Sequence, residues 1–249
     1  MTNDMSIRLG VNIDHIAALR EERRGQLPHP DLLRLTEKII QGGADNITLH
    51  LKEDHRSIKE NDLATLAKHC SIPLTLEIAP TNEMVRIARR YRPEWVCFVP
   101  ENRQGFVIEK GLNVDKAKHQ LTRMIERLQF IGIEVSTFIE PSLRQVKAAY
   151  EVGADAIEIH TGAWVCSQGK KKKAEWNRLN EAASYAHQLG LGVHVGYGLD
   201  LKSVQEIAKL DFIEEVHIGH WLFCQALEIG IEESVRQMKF ILQQSGLSK

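Results

Sequence analysis

The stretch GADNITLH (43–50) returns a hundred residues later as GADAIEIH (153–160), sharing the pattern G-A-D-x-I-x-x-H. Each copy reads as a turn glycine, then a short apolar run of strand type, then a histidine at the strand's far end. Around this pair the chain alternates β-rich runs with helical periods. The candidate strands are LGVNID (9–14), NITLHL (46–51), PLTLEIA (73–79), WVCFVPE (95–101), EVSTFIE (134–140), AIEIHTG (156–162), GVHVGYG (192–198) and EVHIGH (215–220). Between them lie amphipathic segments such as DLLRLTEKIIQGG, NDLATLAKHC and LRQVKAAYEVGA, several closing on glycine. The two echoing strands are the second and sixth, four apart, as a half-barrel repeat would place them. Eight strand–helix units in 249 residues predict a (β/α)8 TIM barrel, one domain over residues 1–249. An open doubly wound sheet, the competing α/β fold, uses fewer strands and a glycine-rich first turn.

Composition narrows the function classes. The chain is 43% hydrophobic and 26% charged with net charge −1, so no global field recruits nucleic acid or an anionic membrane. No apolar run reaches a membrane span, and MTNDMSIR lacks a signal-peptide core. Four dispersed cysteines without a CxxC argue against structural zinc and disulfides. The expectation is a reduced, cytoplasmic protein. The run Lys170 to Lys173 reads as a solvated charged loop after the sixth strand.

Polar residues gather at the strands' C-terminal ends, where barrels build active sites. In order they are Asn12, Asp14 and His15; His50; Glu77; Glu101; Glu140; Glu158, His160 and Thr161; Tyr197; and His217 with His220. One strand-end histidine has a structural explanation, but a ring of proton-transferring groups at one rim points to a polar pocket. Gly196-Tyr197-Gly198 and Ile218-Gly219-His220 end the last two strands. Backbone N–H groups there commonly bind phosphate, although such glycines also serve tight turns.

The stretches GVNIDHIAALR (10–20), GADNITLHLKEDHR (43–56), LEIAPTNEM (76–84), VPENRQ (99–104), KGLNV (110–114), IEIHTG (157–162) and IGH (218–220) together resemble the pyridoxine 5'-phosphate synthase family. That resemblance spans essentially the whole chain. It implies condensation of 3-amino-2-oxopropyl phosphate with 1-deoxy-D-xylulose 5-phosphate, without metal or organic cofactor, in a homo-oligomer of dimers assembling into an octamer. By the same resemblance His50 and Glu77 are catalytic bases, and Glu158 keeps the acidic position of strand six. Asn12, Gly198, Gly219 and His220 hold the aminoketone phosphate. Arg23 matches an arginine of that site, with Arg20 and Arg24 in the same stretch. Asp14 and His15 meet the deoxyxylulose phosphate.

The departures cluster on the deoxyxylulose side. Lys52 replaces a family arginine and loses its bidentate fork. Ser57 stands for a histidine, with His55 nearby, and Val107, followed by Ile108, stands for a threonine. Tyr197 replaces the proton-donating histidine of a G-H-G pattern. Two related readings follow: an orthodox synthase, or a paralogue pairing a phosphorylated aminoketone with another carbonyl. A metal-dependent barrel hydrolase or epimerase using Asp14, His50, Glu77, Glu158, His160 and His220 would also suit imidazoles and carboxylates, and a non-catalytic ligand-binding relic is the fourth reading.

Overall fold

The computed structural model describes residues 6–22, 29–101 and 110–246. The chain runs β1 (Arg8–Asn12), α1 (Asp14–Glu21), α2 (Leu32–Gln41), β2 (Asn46–His50), α3 (Glu60–His69), β3 (Leu74–Ile78), α4 (Asn82–Tyr91) and β4 (Trp95–Phe98). It continues through α5 (Val114–Gln129), β5 (Glu134–Ile139), α6 (Leu143–Glu151), β6 (Ala156–His160), α7 (Gly162–Val165), α8 (Gly169–Gln188) and β7 (Gly192–Gly196). Last come α9 (Leu201–Ile207), β8 (Glu215–Ile218), α10 (His220–Ile229) and α11 (Ile231–Gly246). Every strand pairs in parallel with its neighbours, and β8 closes on β1, giving the expected (β/α)8 barrel.

The G-A-D repeat is explained at its first and third residues. Gly43 and Gly153 take φ of +101° and +80°, a conformation glycine adopts without the Cβ penalty. They turn the chain out of the preceding helix. Asp45 Oδ2 then accepts from the Leu9 N–H at 2.7 Å, and Asp155 Oδ2 from the Val135 N–H at 2.8 Å. Each aspartate therefore ties its strand to the one before it. The repeat's histidines, His50 and His160, emerge at the opposite end.

Side chains alternate across each strand. Ile47 and Leu49 of β2 join the large apolar core under the helices. Asn46, Thr48 and His50 are equally buried but polar. Asn46 crosses the barrel, donating to Thr75 Oγ1 and to Glu215 Oε1, both at 2.7 Å. The inner face of the barrel is thus lined largely by hydrogen-bonding groups.

Three sequence expectations shift locally. The first strand ends at Asn12, so Asp14 and His15 open α1 instead of finishing β1. The last strand stops at Ile218, and His220 begins α10. Lys170 to Lys173 are helical, in the first turns of α8 rather than in a loop. Lys172 sits 4.5 Å over the Trp164 ring and 3.7 Å from Glu206, which offsets the cost of cations at a helix N-terminus.

Candidate active site

The turn from β1 into α1 builds the first part of the rim. The Asp14 N–H donates to Asn12 Oδ1 at 3.0 Å, and Asn12 Nδ2 donates to Asp14 Oδ2 at 3.2 Å. Asp14 Oδ1 accepts from the His50 N–H at 2.8 Å, joining the start of α1 to the end of β2. His50 Nδ1 lies 3.9 Å from Glu77 Oε2 on β3, too far for a hydrogen bond but near enough to share a substrate proton. His50 Nε2 is buried with no partner among the described protein groups.

Crowding sets the protonation states. Burial, then the charges of Asp14 and Glu158, push Glu77 well above the carboxylate range. Burial also pushes Asp14 up to about 6, against the His50 N–H, Asn12 and Lys52. Burial, with the cations Lys52 and Arg56, pushes His50 down to about 3. Near neutral pH the site therefore offers a neutral imidazole beside a carboxyl pushed toward its protonated form. Such a pair can take a proton at one atom and return one at another.

Glu158 on β6 is the fixed anion below them. Burial raises its carboxyl, but the interaction and hydrogen bond with His217 outweigh this and hold it below the usual range. His217 Nδ1 is 2.9 Å from Glu158 Oε2, and Cys97 Sγ is 3.6 Å from the same oxygen. A second pair closes the rim: His160 Nδ1 contacts Glu140 Oε1 at 2.8 Å, which also accepts from the Gly111 N–H. His160 packs edge-on against Tyr197, ring centroids 4.5 Å apart. Tyr197 and Gly198 both have positive φ, +86° and +74°. The tyrosine's backbone is held there by Thr161 Oγ1, which donates to the Gly196 and Tyr197 carbonyls at 2.8 and 2.6 Å.

The remaining residues that the sequence predicts to bind substrate divide. Gly219 approaches β1 so closely that a Cβ would lie 3.2 Å from the Asn12 Cβ and carbonyl oxygen. It precedes α10 as its N-cap and, being glycine, supplies no side-chain cap; an uncapped helix N-terminus favours an anion. His15 and His220 stand 5.1 Å apart at that entrance. Lys52 and Ser57 lie in the loop after β2, half-buried. Arg20 is committed elsewhere: it pairs with both Asp62 oxygens at 2.6 and 2.8 Å and donates to the Ser57 carbonyl. Arg23, Arg24, Val107 and Ile108 lie outside the described residues.

Reading residues singly missed two features. Arg56 bears on His50 electrostatically and supplies a second cation near Lys52. Cys97 and Glu215 belong to the buried network around His217. Ligand atoms of Asp14, His50 and Glu77, already named among the possible metal ligands, lie within 4.8 Å of one another and could accept a divalent ion. Those of His194, Glu215 and His217 are as close, but there both His217 nitrogens are taken up by carboxylate oxygens and Asn46 donates to Glu215. Metal analysis of purified protein distinguishes this from proton transfer alone.

Solved structures of similar fold include KGPDC from Streptococcus mutans, at TM-score 0.66 and 10% identity, covering 96% of this chain and 98% of that one. The 4-hydroxy-2-oxoglutarate aldolase/2-deydro-3-deoxyphosphogluconate aldolase from TTHB1 aligns at TM-score 0.62 and 16% identity over 96% of both chains. At such identities they share the barrel alone. Sequence relatives are far nearer. A pyridoxine 5'-phosphate synthase of Bdellovibrio bacteriovorus is 56% identical over 237 residues, 95% of this chain and 98% of the relative. One from a Sulfurihydrogenibium species is 46% identical, with 95% and 98% covered. The sequence pattern of the family described as pyridoxal phosphate biosynthesis protein PdxJ matches residues 9–244. With its rim of acid–base groups and a family match spanning every strand of the barrel but the first residue of β1, the chain belongs to the PdxJ family of pyridoxal phosphate biosynthesis enzymes.

Proposed function

We propose that this enzyme condenses 3-amino-2-oxopropyl phosphate with 1-deoxy-D-xylulose 5-phosphate and closes the pyridine ring, releasing phosphate and water. The observation that carries the reading is His50 set 3.9 Å from Glu77, the imidazole held neutral and the carboxyl pushed toward its protonated form by burial and neighbouring carboxylates. Imine formation, ring closure and dehydration each move protons between carbon, nitrogen and oxygen, and a pair in opposite roles supports successive transfers. Asn12, Gly198, Gly219 and His220 bind the aminoketone phosphate at the N-terminal end of α10, and its family position assigns Arg23 to the same substrate. Asp14, His15, Lys52 and Ser57 serve the second substrate, and its family position assigns Val107 to the same side. Glu158 stabilises positive charge developing on the condensing nitrogen, and Tyr197 orients a carbonyl or hydroxyl.

The alternative, a different carbonyl partner, draws support from Tyr197. A phenol, with an ordinary pKa near 10, cycles a proton less readily than imidazole. The 56% identical relative bearing the synthase name favours the first reading. The enzyme works in the cytoplasm on small phosphorylated substrates, with neither nucleic acid nor membrane as partner. It assembles from dimers into an octamer, an arrangement that would cover exposed apolar side chains such as Phe130, Leu227 and Phe240. Sedimentation velocity tests the assembly.

The test of function is twofold. The gene should restore growth without vitamin B6 to a strain lacking the synthase, and purified protein should form pyridoxine phosphate from the two phosphates. Failure of both, with turnover of the aminoketone phosphate and another carbonyl, would establish the paralogue.

A further inference from the structure

A line of hydrogen bonds runs through the barrel from its lower mouth to the active site. Arg8, with its side chain 46% exposed, meets Glu215 Oε2 at 2.9 Å. Glu215 Oε1 lies 3.0 Å from His217 Nε2, and His217 Nδ1 lies 2.9 Å from Glu158 Oε2. Both nitrogens of one imidazole thus face carboxylate oxygens. A neutral ring could donate to only one of them and would aim a lone pair at the other.

The surrounding strands leave room for this pairing and little else. A Cβ at Gly10 on β1 would run into the His217 ring edge, and one at Gly196 on β7 into Glu158 Oε1. Other ionisable groups facing the line are His194 on β7, its ring 5.6 Å from His217, Cys97 on β4 and Glu77 on β3. Asn46 on β2 adds a neutral donor to Glu215.

We propose that His217 is a positioning residue, an imidazolium clamped between Glu215 and Glu158 that holds the Glu158 carboxylate as an oriented anion beneath the substrate, with Arg8 anchoring the clamp from the far end of the barrel. The kinetic part rests on the proposed role of Glu158 in catalysis. The electrostatics agree in direction. Burial alone would neutralise His217, but the two carboxylates raise it well above the ordinary histidine range. Glu215 is held far below the usual carboxylate range against its burial, chiefly by the hydrogen bond and charge of His217, with His194 and Arg8 adding. Removing Arg8 leaves a net negative charge in the line, which raises the Glu158 carboxyl.

Two measurements test this. Ring-nitrogen NMR of histidine-labelled protein should show His217, assigned by its loss in His217→Gln, doubly protonated at pH 8. Where that variant does not fold, the imidazolium signal perturbed by Arg8→Gln serves as the assignment. In kinetics, His217→Gln should lower kcat more than it raises KM and move the acidic limb of kcat/KM to higher pH by about one unit. Arg8→Gln, remote from substrate, should move the limb the same way by less. A neutral His217 ring at pH 7, or lowered kcat in both variants with an unmoved limb, overturns the proposal. The NMR result needs no turnover, so it stands apart from any failure of the proposed substrates.

Discussion

His50 and Glu77 show how far a single residue's environment sets its chemistry. Both types are common at strand ends, but burial and like charges hold His50 neutral and push Glu77 toward its protonated form. His50→Asn and Glu77→Gln keep approximate shape and remove the transferable proton. Each should lower turnover by about 10²–10⁴ with the thermal melt little changed; losses under tenfold at both would assign them structural roles. Tyr197 makes the complementary prediction. Its backbone already occupies the left-handed region, so Tyr197→His adds little strain while placing an imidazole beside His160. Turnover of the two phosphates should rise, and an unchanged or lower rate would show that proton donation at this position does not limit the reaction. These residues were legible in the sequence because each follows an apolar run. Arg56 was not, because only the folded loop after β2 brings its charge to bear on His50.

At the scale of elements, the strands were legible from their apolar runs, but their ends were not. Asp14 and His15 continue an extended-looking pattern, yet Asn12 accepts the Asp14 N–H and starts α1 there. The lysine run at 170–173 is solvated as expected, with Lys170, Lys171 and Lys173 exposed, but it is helical because helix-favouring residues follow it, and Trp164 receives Lys172. The β8–α10 junction carries the next prediction. Gly219 sits against Asn12, while a Cβ at Gly198 would meet nothing nearer than 3.8 Å. Gly219→Ala must push α10 away from β1, whereas Gly198→Ala acts through its φ of +74° alone. Both should raise KM for the aminoketone phosphate, Gly219→Ala more, and a phosphate soak should place an anion within about 3.2 Å of backbone N–H groups there. No anion under saturating phosphate, with unaltered KM in both variants, would remove phosphate binding from this junction.

Across the whole molecule, closure of the barrel brings together groups that no local reading pairs. Arg8 and Glu215 are 207 positions apart and His217 and Glu158 are 59 apart, so their contacts exist only once β8 meets β1 and the inner faces converge. The polar interior also makes stability depend on pH. His194, 3% exposed and packed against Trp95, is pushed down to about 4, chiefly by burial, with Glu215 opposing and His217 adding to the effect. In the unfolded chain it titrates near 6.5. Above that value both states are neutral and His194 contributes no slope. As pH falls from 6.5 toward 4 the unfolded state binds a proton that the fold does not. Stability then drops by up to about 1.4 kcal/mol per pH unit from this residue. His50, pushed down to about 3, acts in the same direction, while Asp14, raised to about 6, opposes both as the fold takes up its proton first. His194→Asn removes one of these terms. Whatever the substitution costs at pH 7, urea unfolding midpoints between pH 6.5 and 4.5 should fall less steeply in the variant than in the parent. Equal slopes would mean that the His194 ring is protonated in the fold, shifting the acid sensitivity of the barrel to its rim.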